Sequence, residues 1–182
     1  MLTIIVPEHE EYDDDRDLFI TVKATTLKLE HSLVSISKWE SKWHKPFAVK
    51  EKRTVEETID YIRCMTLNDV DDATYMRLVR YPDLLKSIND YIDDPMTATT
   101  FNERGGKQAP KREIITAEIV YYWMVSNGIP FECQYWHLNK LLALIKVCNI
   151  KNTPQKKMSA SEIAAQNRLL NEARRKKWNS HG

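Results

Sequence analysis

The chain opens with short runs of β-branched residues and then changes period. Thr3-Ile4-Ile5-Val6 ends at Pro7, Leu18-Phe19-Ile20-Thr21-Val22 follows an acidic stretch, and Thr25 to Glu30 alternates polar and apolar through Thr26, Leu27, Lys28 and Leu29. Such runs, bounded by turn formers, favour strands. They predict a small antiparallel sheet of two or three strands, with Glu8 to Asp17 as an acidic turn region. A sheet of that size needs helices packed on one face.

From Ser32 onward the apolar residues recur at three- and four-residue steps. Leu33, Ile36, Trp39 and Trp43 form one stripe, with Ser32 placed to cap the helix and Pro46 to stop it. Thr54 and Glu57 have capping-box spacing, opening a helix whose Ile59, Ile62 and Met65 face inward. Shorter helices are predicted over Asp71–Val79 and Pro82–Ile92, the second with proline at its start. Asn102–Lys111, with Gly105 and Gly106, reads as a loop.

A second helical half follows. Ile115, Ile119, Tyr122 and Trp123 are spaced as a buried face of a helix from Glu113, ended by Gly128 and Pro130. A helix over Glu132–Cys148, carrying Leu138, Leu141, Leu142 and Ile145, is expected to pack on it as the tightest helical hairpin of the protein. After Asn149 the character changes. Lys151–Met158 reads as a basic linker, and Ser159 with Glu162 makes another capping box before a helix over Ile163–Lys177. Its apolar content (Ile163, Leu169, Leu170, Ala173, Trp178) is too thin to hold it firmly on a core. The fold class is therefore mainly α with a small N-terminal antiparallel β-sheet (α+β). Residues 1–150 form a compact helical body, and residues 151–182 a linker and basic tail helix.

Composition sharpens this picture at few points. Four glycines in 182 residues argue against an all-β sandwich or barrel. The formal net charge is only +1, which is no nucleic-acid footprint for the whole chain. Its distribution says more. Residues 1–17 carry a net charge of −6 and residues 151–182 one of +6, so the chain is polarised end to end. The charged ends read as solvated, or as surfaces through which neighbouring copies, or an acidic partner and the basic tail, could meet. Cys64, Cys133 and Cys148 lie far apart in apolar contexts and read as reduced core cysteines. An N-terminus that runs quickly into acids predicts no signal peptide, and no apolar run has the length of a membrane span.

Searches for catalytic patterns find none. His9, His31, His44, His137 and His181 are scattered, with no cysteine near enough for a zinc site. Asp13, Asp15 and Asp17 alternate like the start of a calcium loop, but Leu18 stands where glycine is required and Ala24 where the final glutamate belongs. Gly105-Gly106-Lys107 lacks the upstream glycine and the Ser/Thr of a phosphate loop. The expectation is a non-enzymatic protein with no cofactor and no metal. Trp39, Trp43, Trp123 and Trp136 are expected in the core. Trp178 differs, since it stands beside Arg174, Arg175, Lys176 and Lys177 with Arg168 upstream, and these six residues form the candidate partner-binding site. A basic helix with one aromatic residue could also bind nucleic acid, but the patch is small and the rest of the chain offers no supporting basic face.

Several stretches resemble a family of small proteins encoded in the tail-morphogenesis region of long-tailed (siphovirus-type) phages, sometimes labelled tail assembly chaperones. They are Leu29-Glu30-His31-Ser32-Leu33, Ser37 to Trp43, Asp60 to Thr66, Tyr91 to Thr100, Ile129 to Cys133, Cys148 to Asn152 and Asn171 to Lys177. The resemblance implies a chaperone that binds the tape measure protein, keeps it soluble in the host cytoplasm until the tail tube assembles, and is absent from the mature virion. It also implies no enzymatic activity and the tail tube protein as a second partner of the tail, while the absence of a long apolar run predicts no membrane role. Two other readings stay open: a structural virion protein such as a connector or tail completion protein, and a small nucleic-acid-binding protein using the basic tail.

Overall fold

A computed structural model describes residues 1–13, 17–49, 53–101, 114–153 and 160–178. The loop expected over Asn102–Lys111, the Ser159 cap and most of the Lys151–Met158 linker lie outside these residues. The fold is α+β, with seven α-helices and antiparallel strands at the N-terminus among the described residues.

Four strands form what is in effect one long hairpin. β1 (Leu2–Val6) pairs antiparallel with β4 (Thr25–Leu29), and β2 (His9–Asp13) with β3 (Leu18–Val22). Val6 stands opposite Thr25 and His9 opposite Val22, so one register runs through both ladders. The break falls at Pro7, which has no N–H to give a ladder. β2 occupies the segment expected to be an acidic turn. Its acids mask a strand that only pairing with β3 reveals.

The two halves of the hairpin differ in burial. Ile4, Val6, Leu27 and Leu29 point from β1 and β4 into the core, with Thr3, Ile5, Thr26 and Lys28 outside, the period-2 pattern of a half-buried sheet. The segment after the second helix covers the free edge of β4. Glu30 N–H donates to Met65 O at 2.9 Å, Leu67 N–H to Lys28 O at 2.8 Å, and Asn68 bonds Lys28 N and Thr26 O. In the outer half, every described residue of β2 and β3 is exposed except His9 and Val22, which are partly buried.

Local capping chemistry starts each early helix. Ser32 caps α1 (Leu33–Trp43), exchanging hydrogen bonds with Ser35, and Thr54 caps α2 (Val55–Met65), exchanging them with Glu57. Asp71 accepts from Thr74 N–H at 2.7 Å to open α3 (Asp72–Leu78), and Pro82 opens α4 (Pro82–Asp93). α5 (Ala117–Ser126) ends in a Schellman motif. Gly128, at φ 64°, donates to Val125 O and Ile129 donates to Met124 O. Only glycine adopts that backbone without strain.

Three expectations for the second half need correction. The helix expected from Glu132 is a 3₁₀ turn over Phe131–Tyr135 followed by α6 (Leu138–Asn152). His137 and Leu138 are held in between by a single antiparallel bridge to Ser32 and a 2.7 Å bond from Leu138 N–H to His31 O. The face of α5 that is buried carries Ala117, Val120 and Met124, whereas Tyr122 and Ile115 are exposed. α5 and α6 are also not the tightest pair. Among the described residues α1 packs most extensively on α2, then on α5.

The chain divides into two units, Met1–Asn149 and Ile150–Gly182. The core of the first centres on Leu27, Leu29, Leu33, Trp39, Ile62 and Met65, with the Phe47 ring tilted against Tyr61 at 4.3 Å and edge-on to Trp39. The second contains α7 (Ala160–Trp178).

Candidate protein-binding surfaces

Several polar groups are buried, where desolvation perturbs their titration. His31 and His137 lie edge to face at 5.1 Å. His31 Nδ1 is 2.5 Å from the Tyr61 hydroxyl, His137 Nε2 is 2.9 Å from Tyr91 O, and the Tyr91 hydroxyl donates to Glu30 at 2.6 Å. Glu30 also holds the N-terminal ammonium at 2.7 Å. Burial, reinforced by His137 and Arg53, pushes the His31 imidazole down to about 3. Burial raises the Tyr61 and Tyr91 hydroxyls well above their ordinary range. Each of these groups already has a protein partner, so the network ties the N-terminal sheet to α1, α2, α4 and α6.

Two carboxylates do the same beside α1. Glu40 accepts from the backbone N–H groups of Phe47 and Ala117, both at 2.7 Å. Asp60 accepts from Lys42, Trp43 and Arg63, and although burial alone would raise its pKa, these partners hold it below the ordinary value. Among the described residues no group of three His, Cys, Asp or Glu side chains is placed to hold a metal, and no helix is long and apolar enough to cross a membrane.

What the body offers to a partner is apolar. A groove of about 420 Å³ lies among α1, α4, α5 and α6, walled by Leu33, Ile36, Ile92, Ile115, Val120 and Leu142. Of its polar neighbours, Glu40 is engaged as above and Asn139 donates to Ile92 O and Asp94 O. The groove therefore suits aliphatic or aromatic side chains better than a polar ligand.

The outer side of α5 adds to this. Tyr122 and Val125 are 67% and 61% exposed, and the neighbouring 3₁₀ turn exposes Phe131, Tyr135 and Trp136. The Tyr121 ring packs against Phe131 and its hydroxyl donates to Gln134, fixing the turn on the helix. Lys140 lies 4.6 Å over Trp136. Trp136, expected in the core, is 39% exposed, and Trp43 and Trp123 are half-buried, so only Trp39 among the four is fully enclosed. The sequence pattern missed this surface because α5 is apolar on almost every side. The one usable signal was excess, since Ile119 to Val125 are seven consecutive apolar or aromatic residues, more than one helical face can bury.

The six candidate residues of the tail all fall in α7. Arg168, Arg174, Arg175, Lys177 and Trp178 are exposed, Trp178 at 78%, and the Lys176 side chain lies outside the described residues. Consecutive residues on a helix step by about 100° each, so Arg174, Arg175 and Lys177 point to different sides of the axis rather than line one face. Cations there also complement the carbonyl end of the helix dipole. Leu170, Arg174 and Trp178 recur every four residues and share one side. At the other end of the chain, the outer hairpin exposes apolar residues on both faces: Leu18 and Ile20 on one, and Tyr12 with Phe19, edge-on at 5.1 Å, on the other. Glu8, Glu10 and Glu11 stand exposed beside them.

No protein-family model, no curated protein and no solved structure matches the chain.

Proposed function

We propose that this protein is a non-enzymatic tail assembly chaperone of a long-tailed phage, binding the tape measure protein in the host cytoplasm and keeping it soluble while the tail tube forms. The observation that carries the reading is the exposed apolar surface of α5 and the following turn, Tyr122, Val125, Phe131, Tyr135 and Trp136, together with the apolar groove among α1, α4, α5 and α6. A long helical client displays apolar stripes along its length, and rigid aromatic side chains on a helical body cover such stripes well. The sequence resemblance supplies the identity of the client. The basic helix α7 supplies a second surface, separate in composition, for the tail tube protein.

Co-expression with the tape measure protein of the same phage tests this. The client should stay in solution and co-purify with several copies of the protein. Tyr122→Ser with Tyr135→Ser should leave the protein folded and abolish that rescue. A client that precipitates despite the protein, or mature virions that hold the protein at a fixed copy number, would overturn the reading. Fixed virion content would favour the structural virion protein instead.

A further inference from the structure

The two charged ends of the chain also complement each other in charge and in apolar content, independently of any client. One face of the outer hairpin carries Tyr12 and Phe19 as a cross-strand aromatic pair, with Glu10 opposite Thr21 in the next register position. Phe19 is 70% exposed and Tyr12 45%, so a substantial aromatic surface faces water on an arm whose N-terminal segment bears a net charge of −6. On α7, Leu170 and Trp178 flank Arg174 along one side, with Lys177 adjacent, in a segment of net charge +6. A step of eight helical residues covers about 12 Å. A five-residue ladder is about 17 Å long, so the whole stripe fits along the hairpin face.

We infer that the outer hairpin of one copy receives helix α7 of a second copy. In this contact the helix runs along the strands, and Trp178 lies against Tyr12 and Phe19. Arg174, about 6 Å further along the helix, lies against Glu10, about 7 Å along the strand, and Leu170 lies beyond it toward Glu8. The surface of each end supplies what the other lacks, an aromatic platform edged with acid and an apolar stripe edged with base, so the chain is its own fitting partner. Like-charged ends repel, which excludes hairpin-to-hairpin and tail-to-tail pairing. The contact is heterologous: each copy uses its hairpin toward one neighbour and its helix toward the other, giving rings or open chains rather than closed two-fold dimers.

Light scattering and sedimentation of the full-length protein across a wide concentration range provide the test. Average mass should rise with concentration at low salt, and the association should weaken about tenfold or more as added salt shortens the screening length. Two charge-reversed proteins sharpen it, one with Glu8→Lys and Glu10→Lys, the other with Arg174→Glu, Arg175→Glu and Lys177→Glu. All five positions are exposed, so circular dichroism should match the parent. At the lowest concentration at which the parent assembles, each variant alone should stay monomeric, because residues 1–17 fall to a net charge of −2 in the first and residues 151–182 to 0 in the second. Mixing the two should restore the high mass, because the exchanged charges at the contact positions then face each other.

Several results would sink the inference: a parent that stays monomeric throughout, single variants that still associate, or a mixture that does not. A tail reversal that expands the parent at unchanged monomeric mass would mean that α7 docks on the hairpin of its own chain, which also overturns it. If the hairpin variant loses its fold, the tail variant decides alone, since tail-reversed copies that still associate refute the contact.

Discussion

His31 is 2% exposed, beside a second buried histidine and the Tyr61 hydroxyl. The unfolded chain takes a proton on this imidazole near its ordinary value of 6.5, whereas the folded one resists until about 3. Between those values the unfolded state binds more protons, so stability is complete above the ordinary value and is lost as pH falls below it. Urea unfolding at about pH 7 and about pH 5 should differ by about 2 kcal/mol, and His31→Phe should flatten most of that difference. Glu57 and Asp60 are both held low, Glu57 chiefly by its bond with Lys45 and Asp60 by Lys42, Trp43 and Arg63 against the opposing effect of burial. Their contributions are therefore lost only at lower pH and do not confuse this window. The tryptophans separate by burial in the same way. Trp39, 2% exposed with its indole N–H bonded to Glu57 O at 2.9 Å, should cost about 3–5 kcal/mol on replacement by alanine. Half-buried Trp123 should cost about 1–2 kcal/mol. Equal losses in denaturant titrations would contradict the difference in packing.

At the scale of elements, Glu40 links α1 to the turn at Phe47 and to the first residue of α5. Glu40→Ala leaves two N–H groups without an acceptor, one of them fully buried, and should cost about 2–4 kcal/mol in denaturant unfolding. A variant that unfolds like the parent would mean that water satisfies both. Elements with their own punctuation were legible in the sequence. Ser32, Thr54, Asp71 and Pro82 start α1 to α4 where the caps place them, and Gly128 ends α5. Elements defined by distant partners were not. β2 is written in acids and exists through its pairing with β3, and the start of α6 is set by His31 O, more than 100 residues away in the chain. Of the candidate surfaces, the basic end of α7 was visible from composition alone. The exposed face of α5 was hidden, because a helix apolar on almost every side gives little period to read.

For the whole molecule, two units imply separable stability. Every described side chain of α7 is exposed, so ending the chain after Asn152 should move the thermal midpoint by no more than a few degrees. A large loss of helicity beyond α7 itself would show that the first unit depends on it. The two proposed associations should also separate by ionic strength. A complex with an apolar client persists as salt rises, while a contact made between charged ends fades with the screening length. One salt titration of the client complex, read for both client content and copy number, distinguishes them.

The shared register of the two hairpin ladders has a practical corollary. Because Val6–Thr25 and His9–Val22 obey one pairing rule across the break at Pro7, the outer arm behaves like the removable end of a zip. Two residues taken from each strand shorten it with every remaining tooth still meshed, and a foreign peptide spliced between Asp13 and Leu18 rides outward without disturbing the inner rows. An odd deletion on one side alone would break that mesh, and the mismatch would fall in the exposed outer arm, because burial of Ile4 and Val6 pins the inner rows.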